Sequence, residues 1–383
     1  MKIAIIGGGA AGCFCAVNIK RRLPGAEVTV YEAGARPMAK LAVTGGGRCN
    51  ISNTFSGVTD LRNVYPRGFR LMRHALGEFS PEQTAAWWED AGINLVEEAG
   101  GRLFPVSQNA MDVVRTLERD MRRSGVGLQC KRRIQSLEEV DADAVVVTTG
   151  GGLPGLLKGF GIAVEPAVPS LFTLKLADKS LRALSGTSIP GVTASLAGTS
   201  IRAEGDILLT DWGVSGPAIL KLSSYAARLL SEKDYRGALL VNWLGTNEQE
   251  CRGMLENLLA SSSGRLVANV HPEVISAALW GHLLSKAGIR EDARCAELGG
   301  KGINRIVAVL TADSYEITGR AAFKEEFVTC GGVAASAVDP HTLECRTRKG
   351  LFFAGEVLDI DGITGGFNLQ AAWSTAMTVA RYI

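Results

Sequence analysis

The first twelve residues, MKIAIIGGGAAG, constrain this chain more than any other stretch. Lys2 to Ile6 is a short apolar run that reads as a buried strand, and Gly7, Gly9 and Gly12 follow it in the spacing G-x-G-x-x-G. Ala16 and Val17 continue as a helix. A second strand, Glu27 to Tyr31, runs into Glu32. Strand, glycines, helix, strand and acid in that order specify a βαβ unit that holds an adenine dinucleotide. The first glycine allows the tight turn, the second lets a pyrophosphate approach the backbone, and the third lets helix and strand pack closely. The N–H groups at the helix start face the phosphates. The Glu32 carboxylate can accept from both hydroxyls of an adenosine ribose.

The chain has 383 residues, room for two or three domains. Its net charge of +2 gives no electrostatic basis for nucleic-acid binding, so no nucleic-acid partner is expected. No apolar run reaches 18 residues, so no membrane span is expected. The apolar N-terminus is explained as a strand rather than a leader. A soluble, cytoplasmic protein follows as the expectation. The eight cysteines, Cys13, Cys15, Cys49, Cys130, Cys251, Cys295, Cys330 and Cys345, contain no C-x-x-C pair, which leaves zinc fingers and dithiol redox motifs unsupported. His74, His271, His282 and His341 are isolated, and no metal is expected.

Along the chain, Lys40 to Asn53 is Gly-rich without helical or strand period. Residues 82–91 read as a helix with Trp87 and Trp88 as packing, and Gly100 to Ser107 as a turn or short hairpin. Asp112 to Ser124 is an amphipathic helix with Val113, Leu117 and Met121 on one face. Gly127 to Cys130 and Arg133 to Leu137 read as strand pieces, and Asp141 to Gly152 as a central strand entering a glycine turn. From Leu153 the texture changes. Short runs between residues 170 and 210 predict an antiparallel sheet or small barrel. A helix begins near Pro217, and Gly237 to Trp243 is a strand. Asn247 to Leu259, Pro272 to Ala287 and Cys295 to Thr311 read as helices. Strands return at Ser314 to Thr318 and Glu326 to Thr329. Gly350 to Gly362 is a strand ending in an acidic turn, and a long helix opens at about Asn368.

Six strings together resemble one family: GGGAAG at the start, TGGGRCN (Thr44 to Asn50), GRLFPVS, GVSGPAIL (Gly213 to Leu220), VTCGGV (Val328 to Val333) and GLFFAGEVLDIDGITGGFNLQAAW. The chain resembles the BaiN-like, aminoacetone-oxidase-like bacterial flavoproteins. That resemblance implies FAD, an oxidoreductase, and an α/β architecture. A split Rossmann-like FAD domain (1–152 and 331–383) would be interrupted by a β-rich, barrel-like insert carrying a helical subdomain (153–330). It implies a cofactor site built from Gly7, Gly9, Ala10, Ala11, Gly12, Glu32, Ala33, Lys40, Thr44, Gly45, Gly46, Gly47, Arg48, Cys49 and Asn50. Further chain would add Arg133 and Ile134 beside the adenine, then Thr148, Thr149, Gly150 and Gly151. The C-terminal part would add Gly355, Glu356, Asp361, Gly362, Gly365, Gly366, Phe367, Asn368 and Leu369. In this reading Arg48 neutralises phosphate charge. Glu356 meets a ribitol hydroxyl, with Asp359 and Asp361 as alternatives or as solvated turn residues, and the helix from Asn368 aims its N-terminus at the flavin pyrimidine edge. Family members commonly carry histidine where this chain has Asp211. They also often have an acid near Ala337, and serine and lysine near Cys345 and Arg346. Both departures point to a different substrate. No second G-x-G-x-x-G unit appears, so NAD(P)H is expected only as a transient donor. The expected reaction moves a hydride between flavin and a small organic substrate, reducing an activated C=C bond. An amine oxidase using O₂, and a flavin-binding protein with an assembly or RNA-modification role, are the alternatives. The catalytic acid or base and the oligomeric state have no signature.

Overall fold

The computed structural model describes residues 1–151, 155–157, 160–321 and 328–383. The expectations placed on Gly152, on the texture change at Leu153 and on Glu326 lie outside these residues. The chain divides into two compact units, Met1–Val168 with Val328–Ile383, and Pro169–Phe327.

The first unit opens with β1 (Lys2–Ile6), α1 (Ala10–Arg22) and β2 (Glu27–Tyr31). Four of the five β1 residues are buried, as a strand covered on both faces requires. β1 and β2 are parallel, in register from Lys2 opposite Glu27 to Ile6 opposite Tyr31. Next come β3 (Ser52–Asn53), α2 (Phe69–Glu78) and α3 (Pro81–Asp90). Ser80 caps α3 by accepting from the Gln83 amide, while the Gln83 side chain accepts from the Ser80 amide. β4 (Leu95–Glu98) and β5 (Arg102–Pro105) form a hairpin, and β5 also pairs with β3. α4 (Ala110–Ser124) buries Val113, Val114, Leu117 and Met121 on one face and stops at Gly125, which takes the left-handed conformation. β6 (Gly127–Gln129) extends the sheet beside β2, and β7 (Ala144–Val147) pairs with β1 on the other side. β8 (Val164–Ser170) closes this part of the chain.

The second unit is a barrel with helices. Its elements are β9 (Leu174–Leu176), α5 (Lys179–Arg182), β10 (Ser188–Leu196), β11 (Arg202–Thr210), β12 (Gly213–Ser215), α6 (Pro217–Tyr225), α7 (Ala227–Glu232) and β13 (Gly237–Asn242). After them come α8 (Glu248–Ala260), α9 (Ala277–Lys286), α10 (Gly299–Ala312) and β14 (Asp313–Arg320). The six strands close into an antiparallel barrel in the order β10-β11-β12-β9-β14-β13. Alternate positions such as Leu174 and Leu176, Leu239 and Val241, and Tyr315 and Ile317 are buried, the period-2 pattern of strands with one inward face.

The chain then returns. β15 (Val328–Val333) pairs with β8, and β16 (Leu351–Phe353) adds to β7 in parallel. The main sheet therefore reads β16-β7-β1-β2-β6, and residues near the C-terminus share it with residues 2–6. α11 (Phe367–Tyr382) is buried along most of its length. Its Trp373 joins Phe14, Trp87 and Trp88 in one aromatic cluster, so both tryptophans of α3 are core.

Several local readings change. Arg133 to Leu137 is not a strand: the Ser136 hydroxyl caps a short turn at Leu137–Glu139, and Glu139 reaches back to the Ser136 amide. The helix read from Pro272 begins at Ala277, where the Ser276 side chain supplies the cap. The helix read from Cys295 to Thr311 is a single turn at Cys295–Glu297 followed by α10. α2 carries no sequence expectation at all.

Candidate cofactor site

The three N-terminal glycines have three different physical reasons. Gly7 has φ +113°, and a Cβ there would fall 2.4 Å from the Thr148 carbonyl oxygen. A Cβ at Gly12 would fall 2.0 Å from the Gly7 carbonyl, so helix and strand touch backbone to backbone. A Cβ at Gly9 would meet nothing within 4 Å. Gly9 caps α1 with no side-chain hydrogen bond, and the first turn, which includes Ala10 and Ala11, contains no acidic residue. Free amides at the positive end of a helix, facing open space, fit a pyrophosphate. The Thr148 hydroxyl donates to the Gly7 carbonyl at 2.8 Å and ties the end of β7 to this turn.

Glu32 follows β2. Its carboxylate accepts from the Gly8 amide at 2.8 Å and from the Gly34 amide at 2.5 Å, on the far side of Ala33. A carboxylate has about four acceptor positions, so two remain for a ribose. The 131–134 segment lies alongside, with the Lys131 amide donating to the Gly34 carbonyl and the Arg132 amide to that of Glu32. Arg133 and Ile134 thus sit beside Glu32, with Ile134 buried.

Thr44 to Asn50 forms a loop with left-handed φ at Gly45, Gly46, Gly47 and Cys49. Open space surrounds the Cβ positions of Gly46 and Gly47, so a ligand can approach the backbone there. Arg48 corrects the reading that gave it to phosphate. Its guanidinium donates to Glu98 at 2.9 and 3.2 Å and to Gln108 at 3.0 Å, and lies 4.0 Å from the Phe104 ring centre. Its counter-charge is a protein carboxylate, which makes it a strut between this loop and the β4–β5 hairpin. The Cys49 thiol is buried and pushed up to about 12, first by burial, against a smaller opposing effect of the Thr44 hydrogen bond. It stays protonated at neutral pH and supplies no thiolate.

The C-terminal part converges on the same sheet end. Gly355 has φ +76°, and a Cβ there would fall 2.8 Å from Ala11 Cβ. Glu356 accepts from Lys40 Nζ at 2.8 and 3.1 Å and from the Thr329 amide at 2.8 Å. A Cβ on Gly150 would lie 3.8 Å from Glu356, and one on Gly151 would overlap Thr329. Thr149, exposed, precedes them. Lys40, Gly150, Gly151, Thr329 and Glu356 are therefore one cluster.

Asp361 corrects its reading as a ribitol ligand or solvated turn. It is fully buried and forms a two-pronged ion pair with Arg67, through Nε and Nη2. Cys330, Asp359 and Asp361 bring ligand atoms within 4.8 Å of one another, but Arg67 already neutralises Asp361. The Asn368 side chain closes on the Gly362 backbone at 2.8 and 2.9 Å, and the Phe367 carbonyl accepts from Tyr65 OH at 2.8 Å. Gly366 begins α11 with φ +94°, and a Cβ there would fall 2.2 Å from the Ser52 carbonyl. Its amide meets the Asn50 side-chain oxygen at 3.1 Å. Gly365 packs on the Phe367 ring. The first donor of α11 is thus engaged within the protein, and the amides from Phe367 to Leu369 follow it. Sequence reasoning missed Thr329, Arg67, Tyr65 and Met38, whose amide donates to the Gly8 carbonyl at 2.7 Å. Met38 has φ +56°, with no glycine to signal the turn.

Two family profiles match this chain. The HI0933-like protein Rossmann domain covers residues 1–154, and the HI0933-like protein barrel and H2TH domain covers residues 168–328. The chain belongs to the HI0933-like family. Full-length relatives agree in extent. A 3-dehydro-bile acid delta(4,6)-reductase of Clostridium scindens is 28% identical, with 99% of this chain and 98% of that protein aligned. A ribosomal RNA dihydrouridine synthase of Haemophilus influenzae is also 28% identical, with 99% and 97% aligned. Among solved structures, 3-ketosteroid delta1-dehydrogenase from Sterolibacterium denitrificans shares the fold at a TM-score of 0.51 and 11% identity, covering 99% of this chain and 98% of that one. This HI0933-like protein is an FAD-dependent oxidoreductase, with a Rossmann-like parallel sheet and a closed six-stranded barrel. Among the described residues, no helix is long and apolar enough to cross a membrane.

Proposed function

We propose that this HI0933-like flavoprotein saturates a C=C bond conjugated to a carbonyl group. The observation that carries the reading is what two relatives have in common. A delta(4,6)-reductase acting on a 3-dehydro-bile acid and a dihydrouridine synthase differ in substrate size, yet both names describe adding two hydrogens across an activated C=C bond. Each relative aligns with this chain almost end to end, so the shared chemistry fits the shared architecture better than either substrate does. FAD supplies hydride transfer when bound. In this proposal the chain binds it through the uncapped start of α1, Glu32, the 45–47 loop and the cluster at Glu356. The positive end of α11 favours negative charge near it. NAD(P)H is the proposed donor, visiting transiently, and a small organic molecule is the proposed substrate.

A uridine in ribosomal RNA is the second reading, and the name of the Haemophilus influenzae relative favours it. The same experiment separates the two. The purified yellow protein is reduced anaerobically with NADPH or NADH in a stopped-flow instrument. It is then mixed with a 3-oxo-4,6-diene steroid acid or with an unmodified ribosomal RNA transcript. Reoxidation by the steroid, with the saturated product seen by mass spectrometry, supports the small-molecule reading. Reoxidation only by RNA, with dihydrouridine in its digest, supports the second. No reduction by either nucleotide overturns the donor assignment, and turnover of an amine with O₂ alone overturns the reductase reading.

A further inference from the structure

The first unit has a second concavity, which none of the cofactor-site residues lines. It holds about 770 Å³ and is bounded by the chain after α3, the β5 end of the hairpin and the outer face of α4. That volume lies within the range of small-molecule pockets. Ile93 and Pro105 give it a buried apolar floor, and Val106 an exposed apolar rim. Thr116 also lines it and is only 6% exposed. The Thr116 hydroxyl has no hydrogen-bond partner among the described residues. Its oxygen opens onto the cavity rather than lying sealed in the core, so it is available to a ligand there.

Charge points to the kind of ligand. Arg115, Arg119 and Arg122 stand at i, i+4 and i+7 on α4 and line one side. Arg119 is fixed in place, donating to the Ala91 carbonyl at 2.8 Å and to Asp120 at 3.0 Å. Arg115 leans on Asp112, the one lining carboxylate, at 3.3 Å. Arg122 has no ion-pair partner among the described residues. Arg119 and Arg115 each lie against a carboxylate, Asp120 and Asp112, so Arg122 supplies the unpaired positive charge beside the apolar floor.

We propose that this cavity binds a small organic anion. Its apolar body lies on Ile93, Pro105 and Val106, and its phosphate or carboxylate group lies between the three arginines and receives the Thr116 hydroxyl hydrogen. Guanidinium forks match such oxyanions in geometry and charge. The proposal does not depend on which substrate the flavin reduces.

The test titrates the FAD-loaded full chain with 1-naphthyl phosphate by calorimetry, with 1-naphthol and inorganic phosphate as the separate halves. Saturable one-to-one binding of the naphthyl ester, tighter than either half, is expected. Arg122→Gln should weaken it about tenfold, the scale of one charge-assisted hydrogen bond. Thr116→Val, which keeps shape and removes only the hydroxyl, should weaken it a few-fold with an unchanged near-UV spectrum. Arg123→Gln, on an arginine outside the cavity, should leave it unchanged. Absence of saturable binding overturns the proposal, as does binding that survives both Arg122→Gln and Thr116→Val. Retention of a single-stranded RNA oligomer, lost in Arg122→Gln, with no binding of the naphthyl ester, overturns the small-ligand class in favour of a phosphodiester backbone.

Discussion

The two units of this protein handle polar groups in opposite ways. In the Rossmann-like unit the candidate site is made mostly of backbone. Gly7, Gly12, Gly355 and Gly366 lie where a Cβ would collide with another chain segment, and the free amides of α1 are left at the strand ends. In the barrel unit the polar groups are side chains buried in the core. Asp313, 3% exposed, accepts from Trp243 Nε1 at 3.0 Å and from both Tyr315 OH and Lys286 Nζ. Lys286 also sits 3.7 Å from the Tyr315 ring centre, and His282 lies 3.1 Å from the Tyr315 hydroxyl. A backbone site keeps its donors available for a ligand. A saturated side-chain network holds α9 and Trp243, just after β13, to β14 and leaves nothing to bind one. The comparison teaches where to look for function: at unclaimed amides rather than at the densest cluster of ionisable groups.

The largest effect should come from splitting the glycines. Gly12→Val must displace the Gly7 carbonyl 2.0 Å away and the Thr148 hydroxyl 2.6 Å away, a cost in the severe range beyond about 4 kcal/mol. Loss of the Rossmann-like unit's cooperative unfolding transition is expected. At Gly9 a Cβ meets no atom within 4 Å, and the φ of −80° suits valine. Gly9→Val should keep the far-UV spectrum and the transition but emerge colourless, since its side chain occupies the approach to the amides. A yellow Gly9→Val protein with stoichiometric FAD would break the distinction between structural and ligand-facing glycines.

Asp313→Ala sharpens the other half. It strands the Lys286 ammonium and removes the acceptor of the buried Trp243 N–H. Breaking such a buried pair from one side costs about 3 kcal/mol. For a unit of this size that lowers the melting temperature by roughly 6–12 °C. The flavin absorbance should remain. A drop below about 1 kcal/mol, or loss of FAD with the fold intact, would show that the network is not a barrel-specific brace.

The same contrast explains what could be read from the sequence. Backbone requirements leave local marks. The G-x-G-x-x-G turn, the apolar stripe of α4, and the Gly-punctuated short runs of the barrel are all decided by residues near one another in the chain. Side-chain partners leave none. Arg48 looked free because Glu98 is 50 residues away, and Asp361 looked solvated because Arg67 is 294 residues away. Asp313 lies 70 residues from Trp243. Residues 133–137 misled for a related reason: their β-like composition was overruled by a Ser136–Glu139 cap that satisfies the backbone locally.

The smallest effect tests the network through pH. His282 is half-buried, and burial chiefly pulls its pKa below the usual histidine value, with Lys286 adding to this while Asp178 and Asp313 oppose it. The Tyr315 hydroxyl also faces the ring, raised by burial and by Asp313, and it stays neutral at every pH of interest. Because the folded value lies below the unfolded one, near 6.5, the unfolded chain takes up the proton more readily. The contribution of His282 is therefore complete above about pH 6.5 and is lost as pH falls through that value toward the folded one. Asp178 titrates lower still, its pKa held below the ordinary value near 3.8 by hydrogen bonds from the Leu181 amide and Ser180 that outweigh burial. Melting temperatures of the barrel transition at pH 7.5 and 5.5 isolate the histidine from it. A modest fall on acidification is expected in the parent chain and a flatter profile in His282→Gln. A flat parent profile would mean that His282 keeps its proton equally well in both states. The ring would then only cover the network and play no part in its charge balance.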